Sequence, residues 1–96
     1  MNIQQMMKEA QRAQAKIEEA QREIEASEFN KEYQGIKVTV SGTKEIKSIE
    51  IDQDLMDDKD MVQDMLVVAL NEVFKDVDAK SEALMSEAAG NLKLPF

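Results

Sequence analysis

Apolar residues recur at Ile3, Met6, Ala10, Ala13, Ile17, Ala20 and Ile24, a strict three-four spacing that predicts a helix over about residues 2–26 with an a/d heptad seam. The period then changes to two. Ile36, Val38 and Val40 alternate with polar residues, Ser41 and Gly42 supply turn chemistry, and Ile46, Ile49 and Ile51 mark a second strand, so Gly35 to Asp52 predicts a hairpin. Between Glu25 and Tyr33 the signal is weaker, with Phe29 and Tyr33 the large apolar residues and Asn30 a turn former. A third, poorer strand fits there and extends the sheet to about residues 27–52. Ile46 has the opposite parity to Ile49 and Ile51, which calls for either a bulge near Lys47 and Ser48 or helices covering both faces of the sheet.

A second helix is expected over about residues 58–89, capped by Asp57 or Asp58 and carrying Asp60 in its first turn. Its run M-L-V-V-A-L, Met65 to Leu70, is apolar all round and reads as deeply buried; Val73, Phe74, Val77, Leu84 and Ala88 continue on a narrower stripe. Gly90 and Asn91 make a natural helix end, and Pro95 bars resumption. The tail 91–96 then holds Leu92, Leu94 and Phe96, which suits either folding back on the body or docking on a neighbouring subunit.

At 96 residues the chain makes one domain, 1–96, small enough that a partner subunit is a reasonable source of extra burial. A first helix of this length spans about 37 Å, more than so small a body covers alone. Both a core-packing helix and an arm laid on another helix satisfy the pattern. The net charge of -8 speaks against nucleic acid, but it is unevenly placed. Residues 1–48 carry eight basic and eight acidic side chains, residues 49–96 four and twelve. Within residues 1–16, Lys8, Arg12 and Lys16 face Glu9 alone, so the start of the first helix is locally positive. Counting Ile3 as heptad position a puts Lys8 and Arg22 at f, Arg12 at c and Lys16 at g, so most of this charge points away from the seam, although Glu18 and Glu19 lie within ion-pair reach of Arg22.

Cysteine, histidine and tryptophan are absent, which removes disulfides, thiolate nucleophiles, imidazole bases and the usual zinc ligands. No apolar run is long enough for a signal peptide core or a bilayer span, so a soluble cytoplasmic protein without membrane contact is expected. Six aspartates between Asp52 and Asp64 suggest calcium, but an EF-hand starting at Asp52 meets Asp57 where it needs glycine and Gln63 where it needs glutamate. Helix capping and a solvated acidic edge account for them. No glycine-rich phosphate loop exists, and no metal, cofactor or catalysis is expected.

Taken together, the start N-I-Q-Q-M-M-K-E-A-Q-R-A-Q, the hairpin G-I-K-V-T-V-S-G-T-K-E-I-K-S-I-E-I-D, the acidic D-L-M-D-D-K-D leading into M-L-V-V-A-L-N-E-V, and the L-P-F end resemble the YbaB/EbfC family of bacterial nucleoid-associated proteins. The likeness covers essentially the whole chain, and V-T-V-S-G followed by S-I-E-I-D is its most specific part. The chain departs from the family's habit before the hairpin, where N-K-E-Y-Q-G stands in place of a run of glycines.

The resemblance implies an α+β fold of α-β-β-β-α order with a small antiparallel sheet and two long helices. It further implies a tweezer-like homodimer joined through the sheet and second helix, with double-stranded DNA between or along its helical arms. Charge then designates Lys8, Arg12 and Lys16 as the DNA contacts, with Arg22 second. Three phosphates per subunit give a slope of log affinity against log salt near about -5 for a dimer. The second helix is the other possible contact, although its Lys75 and Lys80 sit among carboxylates. A rival reading is a protein-interaction module or small acidic chaperone, whose methionines and apolar tail bind partner polypeptides.

Overall fold

The computed structural model describes residues 2–90, in the order α1 (Ile3–Ala26), β1 (Glu28–Tyr33), β2 (Ile36–Ser41), β3 (Ile46–Ile51), a 3₁₀ turn (Gln53–Leu55) and α2 (Lys59–Ala89). The fold is therefore α-β-β-β-α. The tail 91–96, and with it the expected back-folding or docking of Leu92, Leu94 and Phe96, lies outside the described residues.

Local chemistry sets the helix ends. Asn2 caps α1 by accepting from the Gln5 amide at 2.8 Å, and Ser27 closes it by donating its hydroxyl to the Glu23 carbonyl at 2.6 Å. Of the two aspartates expected to start α2, Asp58 does so, accepting from the Met61 amide at 3.2 Å. Gly90 follows α2 in right-handed geometry, φ -63° and ψ -17°, so the left-handed freedom that makes glycine a helix stop is unused there.

The strands form an antiparallel meander in the order β1-β2-β3. Parity resolves through a bulge. Val38 faces Ile49 and Thr39 faces Ser48, but Val40 faces Ile46, leaving Lys47 as the extra residue and returning Ile46 to the face of Ile49 and Ile51. Asn30, read from sequence as a turn former, instead sits inside β1 and accepts from the Thr39 hydroxyl at 2.6 Å across the sheet. The turn falls at Gln34 and Gly35, with φ of 47° and 90°, the two-residue type I′ geometry that matches strand twist. Glutamine is strained in that region and asparagine far less so. Gln34→Asn is expected to raise stability by about 0.5 kcal/mol in chemical denaturation; a loss would contradict the turn assignment.

Ile36, Val38 and Val40 form one face of the sheet and are fully buried against Ala69, Val73 and Val77 of α2. Phe29, Lys31 and Tyr33 share that face by register, and Lys31 meets its requirement for a counter-charge by pairing with Asp76 at 3.0 Å. The helix lies over β1 and β2 and leaves β3 largely bare. Ile46 and Ile49, on the core side of the sheet, consequently remain 46% and 40% exposed. The expectation of deep burial for Met65 to Leu70 is corrected here. Ala69 is buried and Met65, Leu66 and Leu70 are half-buried, but Val67 and Val68 face outward because one side of the helix alone meets the sheet.

The first helix packs on α2 rather than on the sheet, through Ala13, Ala20 and Ile24, so the two helices form an antiparallel arm. The alanines let the backbones approach. The chain measures 69 × 24 × 13 Å, with a radius of gyration of 19.5 Å against about 12.5 Å for a compact domain of this length. Where the arm meets the sheet, the Gly42 amide donates to the Ser27 carbonyl at 3.1 Å. A Cβ on Gly42 would lie 1.6 Å from the Ile24 carbonyl oxygen. The sequence suggested turn chemistry for Gly42, but the positive φ in that turn belongs to Lys44 at 65°, and Gly42 is required by close approach.

Candidate nucleic-acid interface

All of residues 3–12 are exposed, so the first third of α1 projects beyond its partner helix as a free tip. Lys8 and Arg12 stand one turn apart on this tip, on the side opposite the seam. Lys16 continues the stripe at the next turn, and the three span about 12 Å along the helix axis. Each is exposed, as is Arg22 nearer the sheet.

Their surroundings differ. Lys16 lines a cleft of about 270 Å³ between the helices together with Glu19, Glu23, Glu87, Ala20, Leu84 and Ala88. Glu19, Glu23 and Glu87 border the same cleft, so Lys16 stands in a more negative setting than the tip. Arg22 shares its stretch of helix with Glu18, Glu19 and Glu23. Lys8 and Arg12 have Glu9 as the one carboxylate in the first 16 residues. Sequence reasoning missed this distinction because the cleft depends on Glu87, contributed by the far end of α2.

Four lysines of the sheet and lower arm are engaged within the chain, whereas Lys37 on β2 is exposed. Lys31 pairs with Asp76, Lys44 with Asp78 at 2.7 Å, and Lys47 with Glu28 at 3.9 Å; the Lys80 ammonium sits 5.6 Å from the Phe29 ring centre. Among the described residues, none of these ion pairs involves a cation of α1. The aspartate cluster lies at the opposite end of the arm from the tip. Asp52 accepts from the Asp54 amide and Asp58 caps α2, and among the described residues no three carboxylates converge into a metal site. No described helix is long and apolar enough to cross a membrane.

A three-stranded meander carrying an antiparallel helical arm, with cations concentrated on the arm's tip, defines an arm-bearing α-β-β-β-α protein. The chain belongs to the YbaB/EbfC DNA-binding family, whose model matches residues 1–92. It is 42% identical over 92 residues to a nucleoid-associated protein of Polynucleobacter asymbioticus, covering 94% of this chain and 86% of that one. It is 43% identical over 86 residues to a nucleoid-associated protein of Metamycoplasma arthritidis, covering 88% and 90%. An uncharacterized protein of Helicobacter pylori shares the fold, with a TM-score of 0.74 and 20% identity over 91% of this chain and 96% of that one.

Proposed function

We propose that this chain is a nucleoid-associated protein that binds double-stranded DNA as a homodimer, using the tips of two α1 helices to hold the phosphate backbone and thereby influencing nucleoid organisation or gene regulation. Lys8 and Arg12 are the principal contacts, and Lys16 and Arg22 are secondary because carboxylates surround them. The observation that carries this reading is the free tip: exposed cations on one helix face with Glu9 the one carboxylate in the first 16 residues, while Lys31, Lys44 and Lys47 at the sheet are paired within the chain. Cations one helical turn apart suit successive phosphates, and such contacts position a protein without reading sequence. The acidic second half is compatible with this, since charges beyond a Debye length of about 8 Å from the phosphates are largely screened. Fluorescence anisotropy with duplexes of unrelated sequence is expected to give similar affinities. Strong preference for one duplex would contradict backbone binding.

The bare strand supports the dimer. Ile46 and Ile49 of β3 are uncovered on the core side of the sheet, and Asp76 turns toward β1, so the opposite flank of α2, with Val67, Leu70 and Phe74, faces the β3 side. An uncovered strand beside an uncovered helix flank is half of an apolar interface, and a second copy completes it symmetrically. Ile49→Glu is expected to halve the mass seen in analytical ultracentrifugation while helix content stays. An unchanged mass would place the interface elsewhere.

A further inference from the structure

The free tip carries more than its two cations. Gln5 and Arg12 share heptad position c, so their side chains leave α1 within about 20° of each other around the axis, with Lys8 between them along it. Gln5 lies about 4.5 Å from Lys8 and about 10.5 Å from Arg12 along the helix. It is exposed, as they are. The Gln5 backbone amide is committed to the Asn2 cap, and so is the Asn2 side chain. The Gln5 side chain is not committed. Gln14 donates to Glu18 four residues on at 3.4 Å, whereas among the described residues Gln5 makes no such bond to Glu9 at the same spacing.

We infer, resting on the DNA binding proposed above, that Gln5 is a third contact of each tip, its side-chain amide donating to a phosphate oxygen beside those held by Lys8 and Arg12. A primary amide suits this place. It offers two donors, and glutamine is among the side chains that hold phosphate oxygens without reading sequence. The other glutamines of this stretch are worse aimed. Gln5 stands about 40° from the midline of the two cations, Gln4 and Gln11 about 60° and about 80°, and Gln14 about 140°.

Being neutral, Gln5 displaces no counterion. It adds affinity by the same factor at every salt concentration, whereas each cation adds to the slope of log affinity against log salt. The two kinds of contact on one helix face are therefore separable in a single titration.

That titration uses duplex DNA and the full chain. Gln5→Ala keeps helix propensity and leaves the Asn2 cap in place, and it is expected to weaken binding about tenfold at every salt concentration with the slope unchanged. Gln5→Lys is expected to steepen the slope by about 1.8, from two added charges in a dimer at about 0.9 each. Gln14→Lys makes the same change in charge on the far side of the helix and is expected not to steepen it. Unchanged affinity in Gln5→Ala, equal slopes in the two lysine variants, or an alanine effect confined to duplexes of one sequence would each overturn the contact. The native slope keeps the two readings apart: a value near about -3.6 upholds phosphate binding whatever Gln5 does, and a value near zero removes phosphate binding and this contact together.

Discussion

Gly42→Ala is expected to cost about 3 kcal/mol and lower the melting temperature by about 10–20 °C, more than other exposed-turn substitutions in this chain. The cause is a backbone collision. The new methyl would stand 1.6 Å from the Ile24 carbonyl oxygen and 2.5 Å from its carbon, and neither atom is the end of a flexible side chain. Relief requires moving the C-terminus of α1 from the sheet, which breaks the 3.1 Å bond from the Gly42 amide to Ser27. That hinge aims the arm, so residual folded protein should also bind DNA more weakly. Thr43→Ala in the same turn, losing one part-buried hydroxyl contact with Ser41, is the control and should cost about 1 kcal/mol. Equal losses for the two variants would show that Gly42 is an ordinary turn residue.

Replacing Lys8 and Arg12 together by glutamine is expected to reduce DNA affinity about a thousandfold at 0.15 M salt, with the dimer and its melting temperature preserved. Two cations per subunit make four phosphate contacts in a dimer, and the counterion-release law at that salt gives about three orders of magnitude for losing four. Glutamine is a good helix former, so α1 should survive. Lys16→Gln alone should do much less, because Glu19, Glu23 and Glu87 already offset its charge. If Lys16→Gln were the most damaging single change, the cleft would be the binding site and the tip would not.

Much of the architecture was legible because it is written locally. The seam of α1, the alternation of β2, and an aspartate cap at position 57 or 58 rest on neighbours within a few positions. The parity of Ile46 even reduced the third strand to two alternatives, one of which the Lys47 bulge satisfies. The first strand was obscure since Lys31 stands where a third apolar residue would complete its pattern, and its partner Asp76 is 45 positions away. Asn30 misled for a related reason: a turn-forming residue gained a cross-strand partner in Thr39.

What depends on packing between distant segments was not legible. Gly42 reads as a turn in sequence, and its need for glycine appears only when Ile24 is beside it. M-L-V-V-A-L looked wholly buried because its composition cannot say that the sheet covers one side, which leaves Val67 and Val68 exposed, Val67 on the flank proposed to meet a second copy. The stripe of Lys8, Arg12 and Lys16 followed from helical counting, whereas their inequality required the position of α2.

The most direct test of the account is the salt dependence of duplex binding by the native protein and the Lys8→Gln, Arg12→Gln variant, measured side by side. Four contacts predict a slope of log affinity against log salt near about -3.6 for the native dimer, shallower than the value near about -5 that counting Lys16 as equal would give. In the variant the slope should collapse to about -1 or shallower. A native slope near zero, or a variant slope as steep as the native one, would contradict phosphate binding by the α1 tips.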